Sequence, residues 1–254
     1  MRKLVSILSA LLDVNRKPLK KTILSLLLGS ICFLACTKSE QILPPVNEPC
    51  KLQTGNPAGK SYSNDSVVAY SCTSKHCGLL PLSSKNYWIY EDSIFNDGVF
   101  VKVQFDTLRY SSTKKSLSDG LVWWEGNIFI GLPNMLYSND SALFGLSDRL
   151  FTPGIKDVKK EFGLFVGDSV KYLTSFDDIA AQGKSLKIQS AFKGETGTFD
   201  NYLYFEKNAR NYRKDQVYFK EGIGVLKYIQ EKAPMGQRVI KLQQVSTLVA
   251  YHIE

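Results

Sequence analysis

The chain has 254 residues, 44% of them hydrophobic and 12% aromatic, with 32 Lys/Arg against 24 Asp/Glu and a formal charge of +8. The first 36 residues hold six basic residues and one acid, which leaves 26 against 23 for everything that follows. A nucleic-acid binder shows a clustered basic face; none is visible here, so nucleic acid is excluded as a partner.

The N-terminal stretch pairs a basic segment (Arg16, Lys17, Lys20, Lys21) with a thirteen-residue apolar run, Ile23–Ala35. A spanning helix takes roughly 20 apolar residues, so the run reads as a secretory signal. Phe33-Leu34-Ala35-Cys36 resembles the lipobox of bacterial lipoproteins, with Phe33 where Leu or Val is more usual. The resemblance implies a signal peptide over residues 1–35, cleavage before Cys36, and acylation of that cysteine by palmitate-type chains. Thr37, in place of Asp, implies delivery to the outer membrane. Two or more acyl chains anchor stably, so a membrane partner is expected through the N-terminal lipid. Residues 36–60, with Pro44, Pro45, Pro49 and Pro57, read as a tether, and residues 61–254 as one β-rich domain.

In an oxidising compartment Cys50, Cys72 and Cys77 are disulfide candidates. Cys72-Thr-Ser-Lys-His-Cys77 is a compact bracket for a Cys72–Cys77 bridge. A zinc site at Cys72, His76 and Cys77 needs a fourth ligand, so no metal and no cofactor are expected.

Period-two patterning dominates the rest. Tyr87–Phe95 and the alternating run Val99–Asp106 flank Asn96-Asp97-Gly98, a hairpin signal because both turn residues must accept positive φ. Ser118-Asp119-Gly120 repeats the device before Leu121–Trp124, and Glu125-Gly126-Asn127 turns into a further predicted strand, Ile128–Leu132. Leu186–Lys193, Asn201–Glu206, Gln216–Phe219 and Val225–Gln230 are further strands. Gly222-Ile223-Gly224 marks a bulge or tight bend. In Val239–Ile253 the apolar positions switch from even to odd, which predicts a bulge near Gln243-Gln244. Ser141–Leu150 and Phe176–Gln182 read as short helices. The expected fold is mostly β, an antiparallel meander forming a sandwich or a closed or half-closed barrel.

Pro81-Leu82-Ser83-Ser84-Lys85-Asn86-Tyr87-Trp88-Ile89-Tyr90 and Tyr218-Phe219-Lys220-Glu221-Gly222-Ile223-Gly224-Val225-Leu226-Lys227 together resemble the strand motifs of uncharacterised Bacteroidota lipoproteins. The resemblance implies an envelope β domain and carries no catalytic residues.

Catalytic signals are weak. Gly167-Asp168-Ser169 is similar to the GDS esterase motif, but His252 has Val249, not Asp, three residues before it. Asp177 and Asp178 are adjacent, so their side chains diverge and cannot flank one bond as paired glycosidase carboxylates do. Trp123-Trp124 is a candidate stacking platform, because neighbours on a strand point to opposite faces. Ser66, Ser93, Thr107, Ser141 and Ser169 each sit in Asp-Ser/Thr-apolar, the Bacteroidota O-glycosylation pattern. The expectation is a non-enzymatic envelope module with a protein, lipid or glycan partner. Its alternatives are a carrier of apolar ligands and a glycan binder using an exposed tryptophan.

Overall fold

The computed structural model describes residues 53–72, 75–163, 169–176 and 179–254, all within one unit that begins at Pro45. The lipobox, Cys36, Cys50, Gly167-Asp168 and Asp177-Asp178 lie outside the described residues.

The described residues form sixteen strands. They are β1 (Ser61–Ser63), β2 (Val67–Tyr70), β3 (Tyr87–Asn96), β4 (Val99–Ser116), β5 (Val122–Gly126), β6 (Met135–Ser138), β7 (Ala142–Asp148) and β8 (Ile155–Gly163). They continue with β9 (Ser169–Phe176), β10 (Ile179–Ile188), β11 (Phe192–Gly194), β12 (Gly197–Phe199), β13 (Tyr202–Ala209), β14 (Arg213–Lys220), β15 (Gly224–Lys232) and β16 (Lys241–His252). One sheet runs β1-β8-β7-β6-β5-β4-β3-β16-β15-β14-β13-β10-β9, with β2 also on β4, and β11 and β12 form a separate hairpin. Two meanders, β3 to β8 and β13 to β16, are therefore fused where the last strand pairs with β3.

The sheet curls until its far strands approach each other, which gives an open half-barrel or sandwich. The Tyr172 hydroxyl on β9 donates to the Glu161 carbonyl on β8 at 2.7 Å. Phe162 on β8 stacks on Phe205 of β13, centroids 4.6 Å apart at 13°. The main core fills the concave side, with Trp88, Tyr90, Leu108, Trp124, Phe205, Phe219 and Leu248 among its members. A second core, including Tyr62, Trp123, Tyr137 and Phe144, covers the opposite face of β5 to β8.

Turn chemistry follows the sequence. Asp97 (φ 51°) and Gly98 (φ 85°) close the β3–β4 hairpin. Gln230 pairs with Gln244 and Glu231 with Leu242, so Gln243 is the extra residue of a bulge, where the parity switch placed it. Trp88 Nε1 donates to the Ile223 carbonyl at 2.6 Å and the Tyr90 hydroxyl to the Val225 carbonyl at 3.0 Å. Gly224 lies between at φ 123°, where an added Cβ would come within 2.9 Å of Leu80. The two motif stretches thus pack as one unit at the foot of the sheet.

Four expectations differ locally. Ser141–Leu150 is not a helix: it contains β7, buried on both faces from Ala142 to Leu146. A strand sealed on both sides loses its period-two signal and reads as helix. Within Phe176–Gln182 the described residues are likewise not helical, Phe176 ending β9 and Ile179–Gln182 opening β10. Asn64–Ser66, a 3-10 turn, is the single helical element among the described residues. Ile128–Leu132 is not a strand but a bent loop that drops Ile130 and Leu132 into the main core. Residues 53–60, read as tether, already pack on the domain. Gln53 makes two hydrogen bonds to the Val122 backbone, and the Tyr137 hydroxyl donates to the Gly55 carbonyl.

Candidate functional site

The inner faces of β13 and β14 should carry apolar residues throughout, and they do so only in part. On β13 the inward series is Leu203, Phe205, Lys207, Ala209, and on β14 it ends Val217, Asp215, Arg213. Cross-strand neighbours continue this polar row: Lys207 pairs with Asp215, Asp215 with Gln230, and Gln230 with Gln244. Nearby, Ser246 pairs with Asp92 and Asp92 with Gln104. A polar belt therefore crosses the concave face above the apolar core.

Beside the belt lies a cleft of about 460 Å³ whose lining includes Phe129, Glu161, Phe176, Lys207, Arg213 and Asp215. That volume falls in the range of small-ligand sites. Arg213 grips Asp215 through Nε–Oδ1 (2.8 Å) and Nη2–Oδ2 (2.7 Å), and Nη2 also reaches the Tyr228 hydroxyl at 3.3 Å. Its guanidinium sits 5.3 Å from the Phe129 ring and 4.8 Å from that of Phe176. Burial works against the Arg213 charge, but the Asp215 carboxylate outweighs it and raises the pKa. Burial raises the Asp215 pKa, with Arg213 opposing.

Beside Asp215 on the neighbouring strand, Lys207 Nζ meets Glu161 Oε2 at 2.9 Å and lies 4.6 Å from the Phe176 ring. Glu161 reaches this position through a bulge. Leu143 pairs with Phe162 and Phe144 with Lys160, which leaves Glu161 as the extra residue. Bulges re-aim side chains; here Val158 packs in the outer core and Phe162 in the inner one, although both are even-numbered.

Phe129 stands at the mouth, 41% exposed and edge-on to Tyr228 (5.9 Å, 83°). Its loop lies flat because Gly131, at φ 76°, leaves no Cβ to strike Tyr228 and Val217, which it would meet at 2.7 and 2.8 Å.

Asp92 is the most perturbed carboxyl of the belt. It is 2% exposed, its Oδ1 lacks a hydrogen-bond partner, and its pKa is pushed up to about 6 by burial and by the Asp106 carboxyl. Asp92 does not line the cleft, so this shifted acid does not face a ligand there.

The sequence-derived candidates fall elsewhere. Trp123 and Trp124 do point to opposite faces, but each is sealed in its own core at 0% and 1% exposure. Neither is a stacking platform, because the sheet is covered on both sides at β5. The Cys72–Cys77 bridge is not formed. Cys77 is a free, exposed thiol, whereas Cys72 is disulfide-bonded. His76 is buried, with a ring nitrogen 2.5 Å from the Ser138 carbonyl, and no metal-holding cluster of acids, His and Cys occurs among the described residues. His252 stacks on Tyr87. Ser141 and Ser169 are exposed, while Ser66, Ser93 and Thr107 are half-buried on or beside strands.

Arg213, Asp215, Lys207 and Glu161 escaped the sequence reading. A readable signal existed for Lys207, a charge at the inward parity of Leu203 and Phe205. The Glu161 bulge left none.

Comparison of the chain with protein-family models, with curated proteins and with solved structures finds no match in any of the three.

Proposed function

We propose that the chain is a non-enzymatic binding module of the cell envelope, held at the outer membrane by acylation of Cys36, that takes a polar, hydroxyl-rich ligand in the cleft. The carrying observation is the cleft's composition: two ion pairs, Arg213–Asp215 and Lys207–Glu161, set between the Phe129 and Phe176 rings. A sugar ring matches this chemistry. Its hydroxyls exchange hydrogen bonds with fixed donors and acceptors, and its C–H face lies on an aromatic ring. Phe129 takes the role first sought in the tryptophans. Both carboxylates are already engaged by cations, which suits holding a ligand rather than transferring protons.

A carrier of apolar ligands fits less well, because charged groups in the cleft would be left desolvated and unsatisfied against a lipid chain. The test is a glycan array probed with the intact chain and with Phe129→Ala. The reading expects binding to a defined glycan set, weakened at least about tenfold by the substitution. No glycan bound by the intact chain, or equal binding by the variant, overturns it.

A further inference from the structure

Several exposed apolar side chains lie on turns at one end of the sheet. β3, β7 and β15 run in the same direction, since each step between them in the sheet is antiparallel. The turns that follow them therefore lie toward the same end of their strands. The start of β4, beside the β3–β4 turn, presents Val99 and Phe100, the β7–β8 turn Leu150 and Phe151, and the β15–β16 loop Met235 and Val239, all exposed. At the opposite end, among the described turns, Leu117 is the one large apolar residue so exposed.

The charge at this end is mixed at two of the turns, with Asp97 in the β3–β4 turn and Asp148 beside Arg149 at the β7–β8 turn, and basic at the β15–β16 loop. The segment Lys232-Ala-Pro-Met-Gly-Gln-Arg-Val-Ile-Lys241 contains three cations and no acid. Gly98 donates to the Leu242 carbonyl at 3.1 Å, which ties the β3–β4 turn to the end of this segment. Lys102 follows on β4. Lone surface apolar residues are ordinary, but a group of them on projecting turns marks an interaction surface. Apolar tips flanked by Lys and Arg are the pattern of an interfacial contact, in which the tips enter the acyl boundary and the cations meet anionic headgroups.

We propose that this end docks on an anionic lipid bilayer through the β3–β4, β7–β8 and β15–β16 turns. The proposal stands apart from the ligand reading of the cleft. It also differs from anchoring by Cys36, because the contact is made by folded turns. Gln53, where the described chain begins, is bonded to Val122 at the opposite end.

The experiment uses the full chain in vesicles containing lipids with brominated acyl chains, which quench tryptophan on contact. Trp88, Trp123 and Trp124 are all buried, so an added indole reports alone. Phe151→Trp and Met235→Trp are expected to be blue-shifted and quenched in vesicles rich in phosphatidylglycerol, and Leu117→Trp to be unaffected. Changing Lys232, Arg238 and Lys241 together to Glu should remove most of the quenching. No quenching at 151 and 235, or equal quenching at 117, overturns the proposal. Equal quenching in pure phosphatidylcholine overturns its anionic part. A lipid-free dimer that already hides both indoles assigns the surface to a second copy and overturns it as well.

Discussion

Arg213 holds Asp215 through two parallel hydrogen bonds on the same strand, two residues apart, within the polar belt that crosses the concave face. Asp215 is 3% exposed, so the pair has left most of its hydration behind. Removing one member strands the other: Asp215→Ala is expected to destabilise the fold by about 3–5 kcal/mol. Replacing both, as Arg213→Met with Asp215→Leu, should cost far less, because a buried pair is roughly balanced by well-packed apolar groups. Urea denaturation of the three proteins checks this. Equal losses for single and double variants would show that the pair acts by shape rather than charge.

Trp123 and Trp124 belong to different cores, so their truncations should act independently. Each change to Ala is expected to cost about 3–5 kcal/mol. Both indole N–H groups are buried without a partner, so change to Phe removes an unsatisfied donor along with ring volume and should cost clearly less than change to Ala. Denaturant midpoints decide it. A loss below about 0.5 kcal/mol for either Ala variant, the range of surface substitutions, would return that tryptophan to the surface.

Asp92 predicts a dependence on pH. Its folded pKa of about 6 lies above the ordinary value of 3.8 because burial and Asp106 disfavour the charged form. A raised carboxyl pKa means the folded state binds more protons than the unfolded one in that interval. Stability from this group is therefore full below about pH 4 and lost as pH rises through 6. At about 1.4 kcal/mol per unit, the loss is up to about 3 kcal/mol. Asp92→Asn should remove that slope and leave the protein more stable than the parent at pH 7.5. Thermal unfolding at pH 4.5 and 7.5 measures the difference, and parallel profiles for the two proteins would contradict the assignment.

The strands that were legible in the sequence are those with one wet face. β13, β14 and the first part of β3 alternate cleanly because solvent reads every second side chain. The Gln243 bulge was legible for the same reason: a parity switch is visible where parity is. β7 was not, since Ala142, Leu143 and Phe144 are all buried between two cores. Nor was the loop 127–134, whose apolar alternation fits a strand but whose Gly131 sits at φ 76° against Tyr228. The cleft was hidden because its residues come from β8, β9, β13, β14 and that loop, brought together only by the curl of the sheet. The tryptophans misled because strand alternation tells which face a side chain takes, not whether that face is covered.

We propose that the cleft between Phe129, Phe176 and the two ion pairs holds a polar, hydroxyl-rich ligand. Native mass spectrometry of the intact chain, extracted gently from its own envelope, tests it most directly. The expected spectrum shows the added mass of a saccharide, released by competing sugar and absent from the Phe129→Ala protein. A bound species of acyl-lipid mass, lost on organic extraction and retained by Phe129→Ala, would contradict it.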